Sequence, residues 1–406
     1  MNKLSRLIGY IVFILLFSFT FSYAQKIETI NGVRVVHNGK TGKWGKHPKV
    51  SLEFVKTIGD IESEDENVLF YMPSDIAFDS QGNVYVLDSG NHRIQKFGPN
   101  GKYIASIGRR GQGPGEFQYP LSIDVDSEGY LYVSDSGNQR IQILKPDGTD
   151  HKTIQMIKDT VGVIRISESG HMIMGSGGGF FSFGTPGMDE DKSQSKIIKV
   201  LNLEGDVQKD FGEQLDYKDF LMNRTGNQFH FMVDKNNNTY VAFDFQNRIE
   251  KYSPDGKILW KSDRKLNFST DPPKDKGVDK RSGGMRTIRM PQFNRCSNGI
   301  AVDDKGRIWV VTFKRQIKED EQVQTGVRVT MGATGERAMT LSVSGNTDVK
   351  ETDMYQLEVY GPDGILLGKL QLNQFVDDIR IDKDRLYLLD KMRGMQYYEY
   401  KIIENF

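Results

Sequence analysis

Two neighbouring stretches of the chain share one pattern and decide the fold. Residues 71–101 read YMPSDIAFDSQGNVYVLDSGNHRIQKFGPNG, and residues 119–148 read YPLSIDVDSEGYLYVSDSGNQRIQILKPDG. The two align without a gap, and equivalent residues such as Pro73 and Pro120 lie 47 positions apart. Self-similarity at a fixed period of this length is typical of repeat architectures.

Each copy contains short alternating apolar runs that predict β-strands, separated by two kinds of turn. An Asp-x-x-Gly turn such as Asp79–Gly82 separates the first strand from the second, and a Pro-Asn-Gly or Pro-Asp-Gly turn separates the third from the fourth. Proline presets φ at the second turn position, and glycine accepts the backbone conformation that other residues resist. Four antiparallel strands per repeat predict a propeller blade.

Fainter copies of the pattern continue to the end of the chain. They cover residues 163–211 with an insertion, 229–260, 299–370 with a larger insertion, and 379–402. The sixth copy lacks its last strand, whereas residues 54–59 resemble a fourth strand without a blade. We therefore predict an all-β, six-bladed β-propeller closed by its N-terminal strand, which leaves no open sheet edge in the ring. A seventh blade would have to lie within an insertion.

The first two copies resemble NHL repeats. The resemblance rests on PSDIAFDSQGNVYVLDSGNHRIQKF and PLSIDVDSEGYLYVSDSGNQRIQIL, joined by GRRGQGPGEFQYP. The match is specific over these two copies, which make up about a fifth of the chain. The resemblance implies a six-bladed propeller and a surface that binds partners rather than a catalyst.

The N-terminus predicts export. Lys3 and Arg6 precede an apolar run that ends in Ser-Tyr-Ala at residue 24, and such a pattern is typical of a cleaved secretory signal. The predicted organisation is a signal peptide at 1–24, an extension at 25–49 and a propeller at 50–406. The alternative is an uncleaved membrane anchor, which could tether the protein to a cell-envelope complex. We expect a periplasmic or secreted protein.

Charge and cysteine content exclude several functions. The 406 residues have a formal charge of zero, and loss of the predicted signal peptide removes two positive charges and no negative ones. This balance provides no overall basic field for nucleic acid. The single cysteine, Cys296, excludes an internal disulfide and a cysteine-based zinc site. We expect a monomer.

Strand topology assigns the two kinds of loop to opposite faces of the ring. The tight turns share one face, whereas the long insertions and the connections between blades share the other, on which we predict the binding surface. A glycine-rich connection at 108–115 resembles a phosphate-binding loop, but a strand rather than a helix follows it. The residues predicted to bind on this face are His92, Arg109, Arg110, Gln139, His230, Lys280, Arg281 and Arg286.

The connection at 263–295 is the most basic part of this face. It holds nine Lys or Arg residues against four acidic residues. An anionic partner would explain this excess, and a solvated flexible loop is the simpler explanation. We expect the protein to bind a protein, peptide or glycan and to need no cofactor.

A metal-dependent lyase or lactonase-like hydrolase is the alternative function. Its site would lie at the mouth of the channel, where each innermost strand begins. A calcium site could use Asn298, Asp377 and Asp378, because calcium prefers oxygen ligands. A zinc site would combine His230 with Asp75 or Asp378. No complete set of ligands converges in the sequence, and non-catalytic binding is favoured.

The segment Asp88–His92 contains the residue types of a hydrolase triad. The second copy has Gln139 in the place of His92, and the fourth copy, at 244–249, retains only an aspartate, an asparagine and an arginine. Residues that recur in this way cap a turn and order its backbone. We therefore expect Asp88 to stabilise the turn and the variable position of His92 and Gln139 to be free to contact a ligand.

Overall fold

The computed structural model describes residues 25–156, 161–175, 195–282, 285–331 and 337–405. Their strands form six antiparallel blades around a central channel, which confirms the predicted all-β, six-bladed propeller. The predicted signal peptide and most of the insertion after Gly175 lie outside the described residues.

The described chain contains the following strands and one α-helix. The first fifteen strands are β1 (Lys26–Ile30), β2 (Val33–Asn38), β3 (Val50–Ile58), β4 (Asp75–Phe78), β5 (Val84–Asp88), β6 (Arg93–Phe97), β7 (Tyr103–Ile107), β8 (Pro120–Val125), β9 (Leu131–Asp135), β10 (Arg140–Leu144), β11 (Asp150–Gln155), β12 (Val163–Ile166), β13 (Met172–Gly175), β14 (Ile198–Leu201) and β15 (Val207–Phe211). The others are α1 (Phe220–Gly226), β16 (Phe229–Val233), β17 (Thr239–Phe243), β18 (Ile249–Tyr252), β19 (Ile258–Arg264), β20 (Val278–Ser282), β21 (Met285–Arg289), β22 (Ser297–Val302), β23 (Ile308–Phe313), β24 (Val323–Met331), β25 (Arg337–Gly345), β26 (Tyr355–Tyr360), β27 (Leu366–Gln371), β28 (Asp378–Asp382), β29 (Arg385–Asp390) and β30 (Gln396–Glu404).

Four consecutive strands make up each of the first four blades, namely β4–β7, β8–β11, β12–β15 and β16–β19. Blade five consists of β22, β23, β26 and β27, with the hairpin β24–β25 inserted between its second and third strands. Blade six consists of β28, β29, β30 and the early strand β3, which pairs antiparallel with β30 from Val50 to Ile58. The N-terminal strand therefore closes the ring as the sequence predicts.

Aspartates organise the turns between the first and second strands. Asp79 accepts hydrogen bonds from the backbone N–H groups of Gln81 and Asn83, and its other carboxylate oxygen accepts one from the Tyr85 hydroxyl at 3.0 Å. The same arrangement recurs at Asp126 with Tyr132, Asp234 with Tyr240 and Asp303 with Trp309. A local aspartate turn that also anchors an aromatic ring ties each hairpin to the core.

The core consists of apolar layers between neighbouring blades. Tyr85 and Leu87 of blade one pack with Ile123 and Val133 of blade two. Trp309 of blade five, which is fully buried, lies in the layer shared with blade six. Because each layer is completed by the next blade, the blades depend on ring closure for their burial.

Blade four is extended by the segment that precedes the ring. Strand β2 pairs in parallel with β19, and β1 folds back on β2 through a turn in which Asn31 and Gly32 have φ values of 51° and 79°. Asn38 is buried at the end of β2, where its side-chain amide donates to Ser262 and the Gly364 carbonyl. The N-terminal hairpin is thus joined to blades four and five.

Within the described part of the chain, none of the helical segments is both long and apolar enough to span a bilayer.

Candidate functional site

The two faces of the ring differ as the topology predicts. We call the face that carries the second-to-third-strand loops and the connections between blades the loop-rich face, and the opposite one the turn face. Hairpin β20–β21 lies in the connection from blade four to blade five, and hairpin β24–β25 rises from blade five. Both lie on the loop-rich face.

A buried ion-pair cluster connects innermost strands of the ring. Asp75 of β4 accepts hydrogen bonds from Arg165 of β12 at 3.0 Å and from Arg380 of β28 at 2.6 Å. Its two oxygens also accept the backbone N–H groups of Ile76 and Ile123. A buried carboxylate with two arginines and two backbone donors is fully occupied, so Asp75 holds four blades together.

The channel mouth holds a histidine between two aspartates. His230 at the start of the innermost strand β16 has its Nδ1 3.4 Å from Asp378 Oδ1 and its Nε2 3.5 Å from Asp244 Oδ1. Asp378 comes from blade six, and its Oδ1 also accepts the backbone N–H of Ile379. The three side chains span the channel from blade four to blade six.

The charges at this mouth fix the protonation of His230. Burial alone would lower its pKa, but the carboxylates of Asp244 and Asp378 outweigh that effect and raise the pKa to about 9. Burial likewise raises the pKa of Asp378, but the hydrogen bond and positive charge of His230 lower it overall. At neutral pH the imidazole is therefore protonated and forms an ion-pair bridge between the two carboxylates.

The other proposed metal ligands are also engaged. Asn298 donates its amide to the Val376 carbonyl at 2.6 Å, and its oxygen accepts from Arg295 at 3.1 Å. Asp377 accepts the backbone N–H of Lys391, and burial raises its pKa. Among the described residues, no group of three or more histidine, cysteine or acidic side chains is arranged to hold a metal ion. His230 and Asp378 are brought together, whereas Asn298 is directed to the backbone.

The structure corrects the expectation that the fourth copy repeats the turn of the first. In blade one Asp88 lies opposite Arg93, but in blade four Phe243 lies opposite Arg248, because the aspartate comes four residues before the arginine rather than five. The Arg248 guanidinium accordingly stacks on the Phe243 ring, 3.8 Å from its centroid. Asp244 falls one position later and faces His230 instead of capping the turn.

His92 and Gln139 occupy equivalent left-handed positions with φ values of 59° and 52°. His92 is buried, and its Nδ1 accepts the backbone N–H of Tyr119 at 3.0 Å. Burial, together with the positive charge of Arg110, lowers the pKa of His92 to about 4. The structure thus places His92 inside the joint between blades one and two, while Gln139 is partly exposed.

The glycine-rich connection is folded around its own carboxylate. Glu116 accepts hydrogen bonds from the Gly113 backbone N–H at 2.9 Å and from Arg109 Nε at 2.8 Å. Buried Arg140 binds the Gln112, Gly113 and Glu116 carbonyls from below. The position that a bound anion would occupy in such a loop is filled by Glu116, and Arg110 remains exposed at the rim.

Hairpin β20–β21 carries three of the basic residues that the sequence predicts to bind. Lys280 is exposed, and the backbones of Arg281 and Arg286 pair across the hairpin. The side chains of Arg281 and Arg286 lie outside the described residues. At the base of the hairpin, Arg289 forms a two-pronged ion pair with Asp275.

A cleft between blades four and five was not predicted from the sequence. It measures about 430 Å³, and its basic lining comes from Lys40, Lys265, Lys314, Arg315 and Lys369. Buried Glu358, which also lines the cleft, is paired with Arg264 at 3.1 Å and with Lys369 at 2.8 Å. The lysines come from four separate segments, so only their clustering in the folded ring could reveal the site.

The chain matches one known protein family. Residues 51–290, more than half of the chain, match the family DUF5128, described as a 6-bladed beta-propeller. The chain belongs to this family. The NHL resemblance therefore gave the correct architecture and blade number, and the family that matches is DUF5128. No curated protein sequence matches the chain.

Solved structures resemble the DUF5128 chain at the level of the fold. A member of the DUF4221 family from Bacteroides vulgatus shares 12% identity with a TM-score of 0.55, covering 88% of this chain and 99% of its own. A candidate exported protein from Bacteroides fragilis shares 11% identity with a TM-score of 0.52, covering 91% and 99%. A gluconolactonase from Xanthomonas campestris shares 13% identity, covering 87% and 95%, but its TM-score of 0.45 carries no argument about activity.

Proposed function

We propose that this protein is an exported, non-catalytic NHL-type propeller that binds a protein, peptide or glycan on its loop-rich face. The observation that supports this proposal most directly is the unequal distribution of its loops. The turn face consists of short aspartate-centred turns, whereas hairpins β20–β21 and β24–β25 both extend from the loop-rich face. Variable loops on a rigid scaffold are the usual location of binding function.

The polar groups of the channel support binding rather than catalysis. Asp75 is occupied by Arg165 and Arg380, and the two ring nitrogens of His230 face carboxylates. A general base needs an unprotonated nitrogen or carboxylate within reach of substrate, and a nucleophile needs such a base beside it. These ion pairs hold the blades together and leave the loops to recognise the partner. We expect no cofactor.

Export is supported by the N-terminal charge and apolar pattern and by the likeness to the candidate exported protein of Bacteroides fragilis. The one cysteine, Cys296, is buried beneath blade five, which suits an oxidising compartment because it is shielded from other thiols. We propose a periplasmic or secreted protein, with association with the cell envelope through its partner.

Replacement of hairpin β24–β25 tests the proposal. The Asn346 backbone N–H donates to the Gln322 carbonyl at 3.2 Å, so residues 323–345 can be replaced by an Asn-Gly turn without moving blade five. The full chain and this variant would be applied to glycan and peptide arrays. We expect the variant to lose the ligands that the full chain binds.

A turn-face variant, Asp255→Ala with Lys257→Ala, is the matched control and should retain them. An identical binding profile for the hairpin variant would contradict the proposal. One equivalent of calcium or zinc per purified chain, measured by elemental analysis, would favour the lyase or lactonase alternative instead.

A further inference from the structure

We propose that the cleft between blades four and five binds an acidic saccharide, with its carboxylate held by Lys40, Lys265 and Lys314. The inference rests on the proposed binding function and assigns to it a site and a class of ligand. The cleft opens at the rim of the loop-rich face, and its volume of about 430 Å³ falls in the range of small-molecule sites.

The three lysines supply positive charge that the protein does not neutralise. Lys40 donates to the side-chain oxygen of Asn267 at 2.8 Å, and Lys314 donates to that of Gln371 at 2.7 Å. Lys265 is exposed beside them. None of these three forms an ion pair with a carboxylate of the described residues. Three cations held close together without a counter-charge repel one another, and an anion relieves that repulsion.

The remaining charges of the cleft are already paired. Lys369 binds the buried Glu358, which also pairs with Arg264 and accepts the Tyr360 hydroxyl at 2.6 Å. Arg315 is held by Glu321 and Asp353 on the other side. The hydrogen bond that Arg315 donates, together with its positive charge, lowers the pKa of Glu321 to about 2, so this pair persists at any physiological pH. Lys369 and Arg315 are therefore held in place by ion pairs, and the net charge of the cleft is positive.

The lining favours an acidic sugar over other ligands. Lysines and amides such as Asn267 donate to carboxylate and hydroxyl oxygens, which a uronate presents together. Phe313 is buried, so no exposed aromatic anchor of the kind that dominates protein and peptide interfaces lines the cleft among the described residues. A neutral glycan would leave the positive charge of the three lysines without a counter-charge. A carboxylate-bearing sugar satisfies both the charge and the hydrogen-bonding groups.

Calorimetry with defined oligosaccharides tests the proposal. The probes are trigalacturonate, the neutral trisaccharide of galactose, oligoglutamate and inorganic phosphate. The full chain should bind trigalacturonate, with an affinity that falls as salt rises. The variant Lys40→Gln/Lys265→Gln/Lys314→Gln should bind it on the order of tenfold more weakly, because each partly exposed charge contributes modestly.

The control variant Lys102→Gln/Lys145→Gln/Lys257→Gln removes the same charge from exposed positions on the turn face and should bind as the full chain does. Equal binding of trigalacturonate by both variants, or none by the full chain, would overturn the proposal. Tighter binding of oligoglutamate would point to an acidic peptide, and full competition by phosphate would show a general anion site; either overturns the saccharide assignment. If the saccharide assignment fails, loss of array ligands in the hairpin variant would still support the proposed binding function. The two proposals can therefore fail separately.

Discussion

Asp88 and Asp135 occupy equivalent positions in the first two blades, and both carboxylates are fully buried. Asp88 accepts hydrogen bonds from the Tyr71 backbone N–H at 2.7 Å, from Asn91 at 2.9 Å and from Arg93 at 2.8 Å. Burial raises the pKa of Asp88, while these donors act against that effect. One carboxylate thus joins the second-to-third-strand turn to the connection that enters the blade.

Substitution of Asp88 by alanine should strongly lower stability. The change leaves the Arg93 guanidinium and the Tyr71 N–H without their acceptor, and removing one partner of a buried ion pair costs about 3 kcal/mol or more. We expect a lower midpoint in urea unfolding with an unchanged slope. Asp255→Ala, which removes an almost fully exposed carboxylate from the turn face, should have little effect. Equal midpoints for the two variants would show that Asp88 does not hold the turn.

His92 should make the protein sensitive to mild acid. Its pKa is about 4 in the folded protein and near 6.5 when unfolded, so the unfolded state binds the extra proton first. Its contribution is fully present above pH 6.5 and is lost as the pH falls from 6.5 towards 4. The loss in free energy of unfolding should be roughly 2 kcal/mol after allowance for solvent screening. His92→Gln, which introduces the residue found at the equivalent position of blade two, should keep the fold and should not show this loss.

Unfolding of both proteins in urea at pH 7 and pH 4.5 measures the effect. The carboxylates titrate equally in the two proteins, so the difference between them isolates the histidine. A parallel decline in both free energies of unfolding would show that His92 is not protonated on unfolding in this range.

At the scale of elements, the sequence predicts each blade because its signals are local. The Asp-x-x-Gly turn and the strands beside it lie within a few residues, and their chemistry is the same in the folded chain, as Asp79 and Asp126 show. The orphan strand β3 could be assigned to blade six because only one blade lacked a fourth strand. The residue types at the turns and the number of predicted strands were sufficient to predict the architecture.

Register and long-range pairing could not be predicted in this way. The fourth copy retains an aspartate, but its spacing to the following arginine is shorter by one residue, so Phe243 takes the structural place of Asp88 and Asp244 is directed to the channel. Residue type alone does not reveal such a shift, because side chains in a strand alternate between faces. The parallel pairing of β2 with β19 joins distant segments, and this pairing brings Lys40 to the cleft.

At the scale of the whole molecule, ion pairs connect the innermost strands of different blades. Asp75 of blade one holds arginines of blades three and six, and His230 of blade four lies beside Asp378 of blade six. The contacts of Asp75 with Arg165 and of His230 with Asp378 connect blades that are not neighbours, whereas Arg380 belongs to the blade next to that of Asp75, with which it also shares an apolar layer. Ion pairs therefore stabilise the ring across its centre. At its circumference the ring depends on the pairing of β3 with β30, which closes it.

That closing contact should decide whether the protein folds. Strand β3 buries Val50 in the apolar layer of blades five and six and covers the outer edge of β30. A chain that starts at Lys49 loses β1 and β2 but keeps β3, so it should unfold cooperatively with a lower midpoint. A chain that starts at Asp60 also loses β3, and the exposed edge of β30 together with an incomplete layer should cost more than the total stability of about 5–15 kcal/mol. Urea unfolding followed by circular dichroism, with gel filtration to detect association through the open edge, measures both. A cooperative transition in the shorter chain with the same midpoint as in the longer one would show that the ring does not need its N-terminal strand.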